Sequence, residues 1–177
     1  VRPGVNVRST TVEPVREVAQ VAAEHDAIVE INAHCRQDEL CAAGAGETLL
    51  REPDRLEPLV GAAAATGADV SVKLRTELAG VDLVDVAKRV DAEGADALHV
   101  DAMDSEGVVA DLADATDLFL IANNGVRGQE SVREYLEHGA DAVSVGRPSD
   151  DPAVLDCVAD AVEELFAGHG TPAEAPR

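Results

Sequence analysis

A chain of 177 residues, 46% of them apolar, is long enough for one domain with a substantial core, and its regular apolar periodicity excludes disorder. Lys and Arg number 14 against 35 Asp and Glu, a formal charge of −21 that repels a phosphate backbone rather than gripping it. No run approaches the ~18 apolar residues of a membrane span, and no charged-then-apolar leader is present, so a cytoplasmic protein is expected.

In chain order, short apolar runs predict strands near 5–7, 27–31, 69–74, 96–100, 118–122 and 142–145. Helical spacing predicts helices near 12–24, 52–65, 82–93, 106–114, 129–137 and 152–166. Three strands open on the same words: Gly67-Ala68-Asp69, Gly94-Ala95-Asp96 and Gly139-Ala140-Asp141. In each the Gly reads as a left-handed helix cap and the apolar run after it as the next strand. Residues 1–167 thus form one βα-repeating domain, and 168–177 are expected to be a disordered tail.

Six βα units predict a parallel sheet covered by helices. Strand parity separates an open sheet from a barrel. Val70, Val72 and Leu74 alternate with Ser71 and Lys73; Leu98 and Val100 alternate with His99 and Asp101. An open sheet buried on both sides should be apolar on both, whereas one face here turns polar towards the strand ends. The expectation is a (βα)8 TIM-type barrel with six units present and the first two strands missing.

The stretch from Ile31 to Leu50 places Asn32, His34 and Cys35 just past a strand, followed by a Gly44-Ala45-Gly46 turn. A thiol there is either a small buried hydrophobe in a long loop or a group that does chemistry. With three cysteines, Cys35, Cys41 and Cys157, and no zinc-ligand spacing, neither a disulfide framework nor a metal site is expected. At the other strand ends stand Lys73 and Arg75, His99 and Asp101, Asn123, Asn124 and Gly125, and Gly146 with Arg147. A lysine inside an apolar strand is costly to bury, so it needs either a ligand or an ion pair with Glu30 or Asp101. Gly146-Arg147 after the last strand offers N–H groups and a guanidinium to an anion.

These residues together resemble the motifs of the dihydrouridine synthases, flavin-dependent (βα)8 barrels. Asn32, Cys35, Gly44-Ala45-Gly46 and Leu49-Leu50 match a pattern of Ile-Asn-x-Gly-Cys-Pro followed by Gly-Ala-Gly-x-x-Leu-Leu. Val72-Lys73-Leu74-Arg75 is similar to the family's Val-Lys-x-Arg, Asn124-Gly125 to its Asn-Gly, and Gly139 through Arg147 to its ending. The resemblance spans about residues 25–150 and is closest to the short archaeal relatives. It implies FMN at the barrel mouth, held by Lys73, Asn124, Gly125, Gly146 and Arg147. It also implies that Cys35 is the general acid for C5 of a uracil ring while hydride reaches C6, with Asn32, Arg75, His99 and Asp101 towards the substrate. Two departures stand out. His34-Cys35-Arg36 replaces Gly-Cys-Pro, and Asp101 replaces a His near the flavin, where a carboxylate would repel a phosphate.

The leading expectation is an FMN-dependent oxidoreductase of the tRNA-dihydrouridine synthase type. The alternatives are a related flavin reductase for a free pyrimidine or other small molecule, and a barrel that has lost flavin. Expected partners are tRNA or a pyrimidine, NAD(P)H as reductant, no membrane, and a homo-oligomer through exposed sheet edges. The acidic surplus, with Lys73 and Lys88 as the only lysines, suits molar salt and suggests a halophilic archaeon. The family's helical tRNA-binding domain has no counterpart in this sequence, and the chain opens with Val1, which suggests an N-terminally incomplete copy.

Overall fold

The computed structural model describes the backbone of residues 1–169 and the side chains of residues 1–165. Six strands form one parallel sheet: β1 (Gly4–Val7), β2 (Ile28–Asn32), β3 (Asp69–Arg75), β4 (Ala97–Asp101), β5 (Phe119–Asn123) and β6 (Ala142–Ser144). Each strand pairs with the next in sequence, β1 to β6, with no reversal of order. A doubly wound sheet would reverse; an unbroken order is the winding of a barrel wall.

Helices connect the strands: α1 (Val12–Glu24), α2 (Asp38–Ala43), α3 (Thr48–Arg51), α4 (Pro53–Ala64), α5 (Leu83–Ala92), α6 (Gly107–Ala115), α7 (Gln129–Glu137) and α8 (Pro152–His169). All six expected helices are present within a few residues of the expected bounds. The short α2 and α3, and a 3-10 turn at Arg147–Asp150, were not expected. Helix α8 extends to His169, so the first two residues of the expected tail are helical, and the rest lies outside the described residues.

Alternation along the strands sorts the chain into a helix-covered face and a lumen face. Val29, Ile31, Val70, Val72, Leu74, Leu98, Val100 and Leu120 are all 2% exposed or less and pack under the helices. Helix α1 meets them with Val15, Ala19 and Ala22, and α5 with Val86, Ala87 and Val90, each set at helical spacing. Each large side chain buried this way contributes about 1.5–3 kcal/mol. This layer is the core.

The Gly-Ala-Asp repeat has a structural reason beyond the helix cap. Gly67, Gly94 and Gly139 adopt φ of +83, +93 and +90, closing the preceding helix, and the following Ala is buried. The Asp then bonds the neighbouring strand. Asp96 Oδ2 accepts the Val70 N–H at 2.8 Å and Asp141 Oδ2 the Leu120 N–H at 2.9 Å. The repeat thus ends a helix and pins a strand start with three residues. Asp69 departs from this pattern and pairs with Arg2 instead.

Strands β1 and β6 are the two edges of the sheet, and Val5 on β1 is 44% exposed. The lumen face is open, with a cavity of about 610 Å³ bordered by Asn6, Glu30, Ser71, His99, Ile121 and Ser144.

Candidate functional site

The loop after β2 is held from both sides. Asn32, buried at the strand end, accepts the His34 N–H at 3.2 Å and the Cys35 N–H at 2.8 Å on its Oδ1. Its Nδ2 donates to Asn6 Oδ1 on β1 at 2.9 Å. An Asn side chain that satisfies two successive N–H groups makes a tight turn off the strand and sets where the Cys35 side chain begins. From the other side, the Cys35 carbonyl accepts the Glu47 N–H at 2.8 Å, and the Cys41 thiol at 3.6 Å. Gly46, at φ +62, passes so close that a Cβ there would lie 2.1 Å from the Cys35 oxygen. Only glycine fits, which gives the Gly-Ala-Gly turn its physical meaning. The thiol itself is half-buried, 3.6 Å from Gln37 Oε1, and is not the fully buried hydrophobe of the plainer reading.

On β3, Lys73 and Arg75 face the lumen. Neither carboxylate considered for Lys73 forms an ion pair with it among the described residues. Its Nζ lies 3.4 Å from His99 Nε2, while Glu30 engages His99 Nδ1 at 2.7 Å. Burial pushes the Glu30 carboxyl up, but the His99 bond, the Asn6 bond and the Lys73 charge outweigh it and hold it below its ordinary value. The chain of contacts continues from His99 Nε2 to Ser144 Oγ at 2.8 Å, and from there to Asn123 Oδ1 at 2.9 Å. Arg75 is 5% exposed, with Glu47 and Glu77 at loose distances of 3.7 and 3.9 Å. Its Nε is buried without a hydrogen-bond partner among the described residues, an uncommon and costly state for a guanidinium.

Asp101 closes β4, one row above His99. Its Oδ2 bonds His34 Nε2, and its Oδ1 accepts Asn124 Nδ2 at 2.9 Å. Burial raises this carboxyl, but the His34 and Asn124 bonds and the charges of His34 and Arg75 prevail and bring it down to about 2. Asp101 is therefore an ionised carboxylate with partners rather than a bare one. Both of its oxygens are occupied by donors from the β2 and β5 loops. Asn124 (φ +90) and Gly125 (φ +67) are both left-handed, and this bend turns the Asn124 amide back to Asp101.

These residues form the wall of a cavity of about 450 Å³ at the strand C-termini. It is lined by His34, Asp101, Asn123, Asn124 and Gly125, together with Arg127, Gly146 and Arg147. Of the site residues expected from sequence, Asp101, Asn124, Gly125, Gly146 and Arg147 meet here. Asn32, Cys35, Lys73 and Arg75 stand beside it on the β2 and β3 ends without lining it, and His99 faces the deeper lumen cavity. The sequence reading missed Arg127 and the partnership of His34 with Asp101. Arg127 follows directly on Asn124-Gly125-Val126, a position that could have drawn attention to it. No cluster of metal-ligating side chains occurs among the described residues, and none of their helices is long and apolar enough to cross a membrane.

Comparison with known proteins adds an independent line. The family model for dihydrouridine synthase matches residues 5–169. A protein of Methanocaldococcus jannaschii described as uncharacterized is 29% identical over 153 residues, covering 81% of this chain and 58% of its own length. The tRNA-dihydrouridine synthase B of Vibrio cholerae is 28% identical over 159 residues, covering 82% and 49%. Among solved structures, the DHODH of Eimeria tenella in complex with ferulenol superposes with a TM-score of 0.75 at 17% identity, covering 94% of this chain and 58% of that one. This likeness supports the barrel fold alone. The chain spans about half the length of the curated relatives it matches.

Proposed function

The chain belongs to the dihydrouridine synthase family, and on that premise we propose that it is an FMN-dependent oxidoreductase that reduces the C5=C6 bond of a uracil base, with tRNA as the substrate class. The observation that carries the proposal is the doubly held Cys35 loop beside a mouth lined by arginines and glycines, in a protein whose charge is otherwise strongly negative.

The residues present suit FMN. Arg127, Arg147 and the Gly125 and Gly146 backbones provide donors for a phosphate, with no side chain at either Gly to block its approach. Lys73 stands on the adjacent strand and would provide a cation beside the flavin ring. The Nε of buried Arg75 is a donor with no acceptor among the described residues, as expected of a residue that completes its bonds on a bound carbonyl. FMN held there would supply the hydride for C6 of the ring, with NAD(P)H as its reductant. Cys35 holds a proton at Sγ and donates it to C5, and its fixed backbone keeps the thiol in register for that transfer. Hydride at C6 and proton at C5 together give the saturated 5,6-bond, and the thiolate then regains a proton from solvent.

A second reading has its own support. At −21 the surface repels a tRNA backbone, which favours a free pyrimidine over a polynucleotide unless a further segment or partner supplies the contacts. Self-association through the β1 and β6 edges, a cytoplasmic location and a halophilic archaeal source belong to the same proposal.

The test is to incubate the purified chain with FMN and NADPH in molar KCl, with unmodified tRNA in one arm and free uracil in the other, and to count dihydropyrimidine by mass spectrometry. Product in the tRNA arm supports the leading reading, and product in the uracil arm alone supports the second. A protein that retains no FMN refutes both.

A further inference from the structure

We propose that His34 and Asp101 act as one unit that keeps the mouth cavity open to a phosphate-bearing ligand: His34 masks the carboxylate that would otherwise turn the cavity's arginines inward. The inference rests on the flavin reading for the identity of that ligand.

Asp101 is the one carboxylate among the described residues lining the cavity, and Arg127 and Arg147 line it too. A bare carboxylate in such a wall has two effects, both adverse to an anion. It repels the anion directly, and it competes for the same guanidinium groups, since Arg–carboxylate and Arg–phosphate pairs use the same fork of donors. In this molecule the donors on Asp101 block the competition and offset part of the repulsion. Oδ1 is taken by Asn124 at 2.9 Å and Oδ2 by His34 Nε2. The carboxyl stays ionised down to about pH 2, so it can only accept, and His34 Nε2 must carry the hydrogen.

His34 is itself held for this task. Its backbone N–H is tied to Asn32 Oδ1 at 3.2 Å, so the residue enters the mouth from the turn that also fixes Cys35. The ring lines the cavity, and its second nitrogen has no hydrogen-bond partner among the described residues. The contact joins residues 67 positions apart and bridges the β2 loop to the β4 end. Two of the positions at which the sequence departs from the family motif, His34 and Asp101, are therefore one paired change in space. His34 is a positioning residue in this account, acting on the ligand through Asp101.

The test is a double-mutant cycle read by flavin binding, independent of turnover. FMN and uncharged riboflavin are titrated against wild type, His34→Ala, Asp101→Asn and the double variant by quenching of flavin fluorescence, with circular dichroism to confirm folding. His34→Ala is expected to weaken FMN roughly tenfold or more and riboflavin by less than about threefold. Asp101→Asn should bind FMN at least as tightly as wild type, and the double variant should recover to within about threefold of Asp101→Asn. His34→Gln, whose amide can still donate to Asp101, should retain FMN and covers the case in which the alanine variant does not fold. Equal loss of FMN and riboflavin in His34→Ala, or no recovery in the double variant, overturns the proposal. If wild type binds neither flavin, the flavin reading fails instead. The same cycle is then read by the thermal shift with inorganic phosphate at constant ionic strength. Stabilisation of wild type and the double variant but not of His34→Ala keeps the proposal, and any other pattern sinks it.

Discussion

Along β4, Leu98 and Val100 are buried among helices, while His99 and Asp101, alternating with them, face the lumen and bond to side chains from β2, β6 and the loops after β2 and β5. The same division runs through β3, where Val70, Val72 and Leu74 alternate with Ser71, Lys73 and Arg75. The covered face is almost wholly apolar, whereas the lumen face of these two strands ends in charged side chains, with Phe119 and Ile121 of β5 among the apolar groups deeper in the lumen. The difference shows how a barrel wall separates stability from chemistry: the covered face supplies burial, and the lumen face is left to hold charges and orient loops.

The comparison breaks most sharply on the covered face. Leu98→Ala should cost about 2–5 kcal/mol, because a fully buried leucine leaves a cavity between sheet and helices. Denaturant unfolding in molar KCl measures it, and a loss below about 1 kcal/mol would place the core elsewhere. Next comes Gly46→Ala, where the new Cβ would overlap the Cys35 carbonyl. We expect a cost of roughly 3 kcal/mol and a displaced Cys35 loop. Ready crystallisation of that variant with an unmoved loop would remove Gly46 from the account.

On the lumen face, ionic effects should be smaller and depend on pH. Asp101 has a folded value of about 2, below its ordinary value of about 3.9, so its stabilisation is present above pH 4 and is lost as pH falls towards 2. That amounts to about 2 kcal/mol at neutral pH. Asp101→Asn should therefore be less stable than wild type at pH 7, by an amount that shrinks across pH 4 to 2. A gap independent of pH would mean that the carboxylate is not paired. Smallest of all, Lys73→Met should change stability by less than about 1 kcal/mol in either direction, since removing a half-buried cation also removes its desolvation cost. The same variant should bind FMN markedly less well. Lost stability with intact binding would reverse the assignment of Lys73 to the lumen's chemistry.

The two faces also differed in how far they could be read from the sequence. Alternation of Val and Leu with Ser, Lys and His reveals strand, parity and barrel together, because β3 and β4 both show it. The Gly-Ala-Asp words mark helix ends for the same reason, although the bond from Asp96 to the Val70 N–H needs the neighbouring strand to be seen. Helices α2 and α3, of 6 and 4 residues, are too short to display an apolar period. The pairing of His34 with Asp101 was hidden by the length of chain between them, and of the two readings of Lys73 the ion pair is not formed among the described residues, where Glu30 instead bonds His99. Local pattern is legible along the chain; competition among side chains for partners is settled only in three dimensions.

The central claim is that the loop fixed by Asn32 and Gly46 presents Cys35 as a proton donor to the substrate ring. The most direct measurement compares wild type and Cys35→Ala, both loaded with FMN, for flavin content and for the rate of dihydropyrimidine formation on the substrate wild type accepts. The account predicts nearly equal flavin content and a rate lower by about two orders of magnitude, the loss expected of a positioned general acid. Equal rates in the two proteins would contradict it.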